Sequence, residues 1–182
     1  NSTLLIDKQW IAKRGSGKNK IQFKGESPII LKERWDLFLF NEEVLKKDFD
    51  LLSTARKSKK LSKTNTLIGD EKLLFLEEGA KLEGAILNTT TGPIYIGKDS
   101  EVMEGSLIRG PFALCEKSVV KLGTKVYGAT TIGPYCKVGG EISNVIFQSF
   151  SNKGHDGFLG NSVIGEWCNL GAGTNSSNLK NN

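Results

Sequence analysis

The feature of this sequence that most constrains its fold is a series of aliphatic residues spaced six positions apart. Eight consecutive members stand at this spacing, with mostly small residues four positions after each. A period of six matches neither the roughly 3.6-residue period of an α-helix nor the alternation of a strand. It is typical of a coil with three flat faces, each contributing one inward aliphatic residue, so we expect a parallel β-helix of hexapeptide repeats in an all-β fold. The eight residues are Ile96, Val102, Ile108, Leu114, Val120, Val126, Ile132 and Val138.

A later aliphatic series is out of phase with the main one. The separation between Val138 and Phe158 is not a multiple of six positions. We therefore expect the polar, glycine-rich segment 148–157 to leave the helix as a loop. Such loops on a rigid scaffold often carry binding and catalytic residues. The flanking series comprise Leu76 and Leu82 upstream and Phe158, Ile164 and Leu170 downstream.

Residues 1–70 lack the repeat, and we expect them to form a small α/β or irregular segment. Within residues 34–55, Asn41 is placed to cap a predicted helix. Residues 56–70 are basic and rich in serine and threonine, which is typical of a linker. The predicted domains are therefore 1–70 and 71–182. Because the chain begins without a methionine and stops within the repeat, we expect a fragment whose β-helix is incomplete at the C-terminus.

The cysteine and histidine content argues against several kinds of site. Three cysteines without a CxxC pair argue against a disulfide framework or a structural zinc site and favour the reducing cytoplasm. A single histidine excludes a multi-histidine site, and we expect no bound metal in this chain. Cys136 and Cys168 fall at small-residue positions of the repeat, where we expect packing rather than reactivity. Cys115 has no visible activating partner.

Charge and hydropathy favour neither a nucleic-acid nor a membrane partner. The formal net charge is +5, and much of the excess lies in segment 56–63. This basic run could contact phosphates, but no aromatic residue interleaves it as in proteins that bind single strands. A solvated linker is the favoured interpretation. No apolar stretch approaches the ~18 residues that a membrane-spanning helix needs.

His155 is the only histidine of the chain and lies in the predicted loop, close to Gly154 and Gly157. A neutral imidazole is the side chain best suited to accept a proton near neutral pH. A structural histidine bonded to a carbonyl is equally compatible with this position.

The run around His155 resembles a known enzyme family. Residues 153–178 read KGHDGFLGNSVIGEWCNLGAGTNSSN. They are similar to the acetyltransferase domain of the bacterial bifunctional N-acetylglucosamine-1-phosphate uridyltransferase/glucosamine-1-phosphate acetyltransferase family, whose pattern is of the type KAGH-x2-YLGDAEIG-x3-NIGAGT-x3-N. The resemblance is specific over the C-terminal part, 153–182, and generic over the rest of 71–182. The matching positions are Gly154, His155, Leu159, Gly160, Ile164, Gly165, Asn169, Gly171, Ala172, Gly173, Thr174 and Asn178.

The resemblance implies a left-handed parallel β-helix that assembles as a homotrimer with active sites between subunits. It implies acetyl-coenzyme A (acetyl-CoA) as the donor and a sugar phosphate, an amino sugar 1-phosphate, as the acceptor. His155 would be the general base as the sugar amine attacks the thioester. The other site residues that it implies are Asn169, Asn178, Phe158 and Lys153 for the substrate, and Ala172 and Gly173 for the coenzyme.

The sequence departs from the family pattern at acceptor contacts. The family's tyrosine three residues after the histidine is Phe158, and the lysine used for the sugar phosphate falls at Ser143. The tyrosine expected after Asn178 is Leu179. Lys153 or Lys137 could compensate for the missing lysine. Either the acceptor sugar differs, or the site is no longer that of an acetyltransferase.

Two other functions remain open. Residues 1–70 weakly resemble the C-terminal remnant of a nucleotidyltransferase domain and its connector. The whole protein could then be a sugar-1-phosphate nucleotidyltransferase whose β-helix trimerises or regulates it. Mg²⁺ would be needed only if that domain were active, and its glycine-rich nucleotide-binding signature is absent from this chain. The third possibility is a non-catalytic scaffold.

Overall fold

The computed structural model describes residues 2–6, 9–13, 19–22 and 29–176. The chain divides into two compact units, Asn1–Lys32 and Glu33–Asn182.

The first unit contains a three-stranded sheet. Its strands are β1 (Ser2–Ile6), β2 (Gln9–Lys13) and β3 (Asn19–Gln22). The central strand β1 pairs antiparallel with β2 and parallel with β3.

The second unit opens with two helices, α1 (Asp36–Leu39) and α2 (Asn41–Ser53), which agrees with the predicted helical segment. In α2, acidic residues occupy the first turn and the buried apolar residues Leu45 and Phe49 share one face. Asn41 differs from its predicted capping role, because it is the first helical residue and is buried. Its amide donates to the Ala129 carbonyl at 2.5 Å and accepts from Thr131 Oγ1 at 2.9 Å, which fastens α2 to the β-helix.

The rest of the second unit is a parallel β-helix, as predicted. A short 3-10 helix, Glu71–Leu73, lies between its first two strands. The strands in chain order are β4 (Thr66–Ile68), β5 (Leu74–Leu76), β6 (Lys81–Leu82), β7 (Ile86–Asn88), β8 (Ile94–Ile96), β9 (Glu101–Val102), β10 (Leu107–Arg109), β11 (Phe112–Leu114), β12 (Val119–Val120), β13 (Lys125–Tyr127), β14 (Thr130–Ile132), β15 (Lys137–Val138), β16 (Glu141–Phe147), β17 (Asn152–Lys153) and β18 (Phe158–Ile164).

The strands stack into three faces, and every pairing between them is parallel. Face 1 contains β4, β7, β10 and β13, and face 2 contains β5, β8, β11 and β14. The longer strands β16 and β18 run through both of these faces. Face 3 contains β6, β9, β12, β15 and β17. This architecture is that of the left-handed parallel β-helix predicted from the resemblance.

The core of the β-helix is the predicted aliphatic series. All eight members are at most 3% exposed. The small residues that follow them use hydroxyl groups to satisfy carbonyls inside the corners. Ser118 Oγ donates to the Gly133 carbonyl at 2.7 Å, and Thr124 Oγ1 donates to the Lys121 carbonyl at 2.6 Å. Within the described residues, no buried side-chain nitrogen or oxygen lacks a hydrogen-bond partner.

The coil length changes where the aliphatic series changes phase. Val119 pairs with Lys137, which is a step of three hexads, but the step from Lys137 to its partner Asn152 is shorter by three positions. The next step, from Asn152 to Asn169, is one position short of three hexads. The prediction that segment 148–157 leaves the helix is therefore wrong, because β17 pairs with β15 inside face 3.

Most of the shortening occurs at the corner between faces 3 and 1. Four residues, 121–124, form this corner in one coil, whereas only Gly139 and Gly140 form it in the next. Gly140 has φ +80°, and a Cβ atom there would lie 2.7 Å from the Gly157 carbonyl. Glycine is therefore required for the tight turn. After the phase shift, the inward positions are Phe147, Lys153 and Leu159 rather than Phe158.

The basic run after α2 packs on the first coil instead of forming a free linker. The Lys59 amide donates to the Leu76 carbonyl at 2.8 Å, and Ser58 Oγ accepts from the Leu76 amide at 2.9 Å. Arg56 forms an ion pair with Glu77 at 2.5 Å. None of the helices in the described part of the chain has the length and apolar composition to cross a membrane.

Candidate active site

The predicted base, His155, lies in a corner that is longer than the equivalent corner of the preceding coil. We call residues 154–157, which join β17 to β18, the His corner. The Gly139 amide donates to the Lys153 carbonyl at 2.7 Å, and the Glu141 amide donates to the Gly157 carbonyl at 3.1 Å. These bonds hold both ends of the corner to the preceding coil, whose corner has two residues fewer. Two residues of the His corner, His155 and Asp156, therefore have no counterpart in the preceding corner, and we call this pair the bulge.

His155 and Asp156 occupy the bulge, and both are exposed. Among the described residues, the imidazole of His155 has no hydrogen-bond partner. The structure therefore does not support the alternative in which the His155 imidazole is bonded to a carbonyl. An exposed imidazole without a protein partner can accept a proton from a bound molecule.

Lys153 lies inside the β-helix beneath the His corner. Its side chain is 1% exposed at an inward position between Val138 and the next coil. Its ammonium donates to the carbonyls of Gly139, His155 and Gly157 at 3.1, 2.9 and 3.0 Å. Burial lowers the pKa of Lys153, against the opposing effect of the Asp156 charge. The predicted contact of Lys153 with a substrate phosphate has to be revised, because all three donors of its ammonium are used inside the protein.

The following coil places a second small-residue corner beside the His corner. Ala172 and Gly173, the predicted coenzyme residues, are exposed in this corner. The Gly173 amide donates to the Asp156 carbonyl at 3.1 Å. A Cβ atom on Gly157 would lie 2.2 Å from the Thr174 carbonyl, so the two corners are in close contact. The structure thus brings the predicted base next to the predicted coenzyme residues.

Two residues that the sequence did not single out join this corner to β18. Asn175 Oδ1 accepts from the Phe158 amide at 2.7 Å, and the Ser176 amide donates to the Phe158 carbonyl at 2.8 Å. Ser176 Oγ also accepts from the Gly160 amide at 3.1 Å. Their signal in the sequence was only their polarity after the GAGT run, which is common to many loops.

The predicted substrate residues lie on different faces. Asn169 is exposed on face 3, where its Oδ1 accepts from Asn152 Nδ2 at 2.8 Å. Phe158 is half-buried at the start of β18 on face 1, on the other side of the His corner. Asn178 lies outside the described residues.

Face 1 carries charged residues that the sequence pattern did not identify. Phe158 pairs with Glu141, which pairs with Lys125. Successive side chains along this column point outward from neighbouring strands, which lie about 4.8 Å apart. The exposed Lys125 is therefore two strands away from Phe158 on the outer surface of face 1, which adjoins the His corner. Ser143, at the position of the family lysine, lies on the same face.

The cysteines are placed as the repeat predicts for packing residues. Cys136 is fully buried, and burial raises its pKa. Burial also raises the pKa of Cys115 to about 11. Cys168 is half-buried. Within the described part of the chain, no group of three or more histidine, cysteine or acidic residues could hold a metal ion.

The fold defines a hexapeptide-repeat parallel β-helix module. Curated proteins named Bifunctional protein GlmU are similar to this chain, which confirms the resemblance to the bifunctional transferase family. The protein from Wigglesworthia glossinidia brevipalpis is 33% identical over 141 residues, 72% of this chain and 28% of its own length. The protein from Rippkaea orientalis is 32% identical over 104 residues, 48% of this chain and 23% of its own length. The protein from a Cyanothece species is 26% identical over 151 residues, 71% of this chain and 33% of its own length.

The aligned part of the chain thus spans a third or less of the length of these relatives. No protein-family model matches the chain.

Proposed function

We propose that this module is an acetyl-CoA-dependent acyltransferase that acts on an amino sugar 1-phosphate, with His155 as the general base. The observation that carries the proposal is the bulge of the His corner. It exposes the only imidazole of the chain directly beside the small-residue corner that contains Ala172 and Gly173.

The chemistry would follow from the position of the imidazole. His155 would take a proton from the sugar amine while the amine nitrogen attacks the thioester carbonyl carbon. The same imidazole, now protonated, would give its proton to the departing coenzyme A sulfur as the carbon–sulfur bond breaks. The products would be an acetylated amino sugar phosphate and free coenzyme A. General-base assistance of this kind contributes roughly 10²–10⁴ in rate.

The small residues of the following corner fit a bulky donor. Ala172 and Gly173 are exposed and present little or no side chain. A coenzyme chain could therefore approach their backbone closely, beside the imidazole. A larger side chain at Ala172 would obstruct this approach.

The acceptor would lie across the His corner onto face 1. Phe158 would contact the sugar ring, and Lys125, an exposed cation on this face, could meet its phosphate as an alternative to the missing family lysine. Asn169 and Asn178 would bind the sugar from the other side or from a neighbouring subunit. Lys153 would not bind the phosphate, since its ammonium is bonded inside the helix.

The proposed assembly is a homotrimer in which face 1 meets another subunit. Face 1 exposes the large apolar side chains of Ile68, Ile86 and Leu107, which are 45%, 39% and 43% exposed. Contiguous apolar surface of this kind marks interaction sites. A cytoplasmic location fits the free thiols of all three cysteines.

The test is an assay of coenzyme A release by the full chain with acetyl-CoA and a panel of amino sugar phosphates. We expect acceptor-dependent release that falls by roughly 100-fold or more in His155→Ala. Asp156→Asn, in the same bulge, is the matched control and should keep most of the activity. If His155→Ala released coenzyme A as fast as the parent protein, the proposal would be wrong. The same panel with nucleoside triphosphates tests the nucleotidyltransferase alternative, and sedimentation measures the trimer.

A further inference from the structure

We propose that Lys153 is a positioning residue that clamps the His corner from inside the β-helix and thereby holds His155 at the site. This inference rests on the proposed function of His155 as a base. Two of the three carbonyls that the Lys153 ammonium contacts belong to the His corner, those of His155 and Gly157. The third, Gly139, belongs to the preceding coil.

The comparison with the regular coils shows why a cation stands at this inward position. In those coils a hydroxyl satisfies the corner carbonyl, since Lys121 accepts from both Thr124 Oγ1 and Ser106 Oγ. One coil later, Gly140 stands at the position of the hydroxyl-bearing Thr124, and the Gly139 carbonyl takes the place of the Lys121 carbonyl. Lys153 supplies the donor that Gly140, which has no side chain, cannot supply. A long side chain with three donors can reach carbonyls in two coils at once.

The clamp acts on the backbone of the residue that carries the imidazole. A bulge of two extra residues has several ways to close. Amides of the neighbouring coils hold its ends and the Asp156 carbonyl, whereas the bond to the His155 carbonyl in the described part of the chain comes from Lys153. The charge-assisted bond to the His155 carbonyl fixes the orientation of that peptide and hence the direction of the side chain. Because a misplacement of about 1 Å at a reacting group can cost on the order of 100-fold in rate, this orientation matters for catalysis.

The test compares Lys153→Met with Leu170→Met, which changes packing in the same column of the following coil but leaves the clamp in place. Amide hydrogen exchange is measured at Glu141 and Gly173, whose amides bond to the carbonyls of Gly157 and Asp156. In Lys153→Met we expect exchange at least tenfold faster at these amides and unchanged at Val119 in the regular coils. We also expect kcat to fall by roughly 10- to 100-fold with KM within about threefold. Leu170→Met should alter neither quantity.

Several outcomes would overturn the inference. Unchanged exchange at the corner amides, or equally faster exchange throughout the β-helix, would make Lys153 an ordinary core residue. If Lys153→Met does not fold, Lys153→Gln, a neutral side chain with fewer donors and a shorter reach, is measured in the same way and should also speed exchange at the corner amides. If the parent protein transfers no acetyl group, the proposed function fails, whereas the exchange data still decide whether the clamp exists.

Discussion

Two stretches of the β-helix use the same strand pairing but fill their corners differently. Between positions 94 and 138 each coil spans three hexads, and interior hydroxyls satisfy the corner carbonyls. Between positions 139 and 176 the coils are shorter than three hexads, and one corner bulges. An inward lysine takes over the bonding at that bulge. The regular stretch provides a rigid base, and the irregular stretch carries the candidate site.

The outer corner between faces 2 and 3 shows the same contrast. Asp99 and Lys117 occupy its left-handed position in the regular coils, with φ of 54° and 53°. Tyr135, at the end of the regular stretch, and Phe150 and Trp167, in the irregular stretch, occupy it from there on, also at positive φ. Their rings stack with centroids 5.0 and 4.6 Å apart. The stacking offsets the cost of placing aromatic residues in this conformation and ties the irregular coils together from outside.

The largest effect should come from moving the inward charge into the regular stretch. Val120 is fully buried in the same column as Lys153, two coils earlier, and its corner carbonyl at Lys121 already accepts two hydroxyl groups. We expect Val120→Lys to lower the free energy of unfolding by several kcal/mol, since a buried ion without partners costs about that much. Urea denaturation checks this, with Val120→Met as the control for size. A Val120→Lys protein as stable as the parent would mean that any coil can hold a lysine.

A smaller effect should follow from breaking the aromatic stack. Phe150→Ala removes two ring contacts, worth together about 1–3 kcal/mol of the free energy of unfolding. Lys117→Ala, at the same corner position of a regular coil, removes only a contact between the ammonium and the Tyr135 ring at 5.4 Å. We expect a smaller loss of unfolding free energy there than in Phe150→Ala, because the ammonium is solvated. Equal losses in the two variants, measured by urea denaturation, would contradict a special role of the stack.

The smallest effect should be a pH dependence of the free energy of unfolding that is caused by Lys153. Because burial lowers its pKa in the folded state, the cation is less stable there than in the unfolded chain. The unfolded chain therefore holds more protons as pH approaches the ordinary value of 10.5, and stability rises with pH in that window. The free energy of unfolding of the parent minus that of Lys153→Met should rise toward pH 10.5 and level off above it. A difference that falls with pH would mean that the three carbonyls raise the pKa instead.

The sequence predicts the regular stretch almost completely. Each inward aliphatic residue there recurs every six positions, and each corner keeps its length, so that pattern and structure coincide. The six-residue spacing gave a wrong prediction after Val138, because two different structural changes shift the phase of the series in the same way. A loop can be added, or corners can be shortened, and only the strand pairing of Lys137 with Asn152 distinguishes them.

The candidate site was predictable in part. His155 was identified because it is the only histidine of the chain and lies where the six-residue repeat is interrupted. Ala172 and Gly173 were identified because they belong to the GAGT motif. Lys153 was assigned to the wrong environment, because a lysine next to a predicted loop is ordinarily exposed. Its inward position follows only from the register after the shortened corner. Lys125 was missed because its proximity to Phe158 depends on the pairing of strands far apart in sequence.

The most direct test of the central claim is chemical rescue of His155→Gly. If the exposed imidazole is the base, removal of the side chain should lower the rate of acetyl transfer by roughly 10²–10⁴. Added imidazole should then restore part of the rate in a concentration-dependent manner, while Asp156→Asn should show no such response. A His155→Gly protein that transfers acetyl groups at the parental rate, with or without imidazole, would contradict the account.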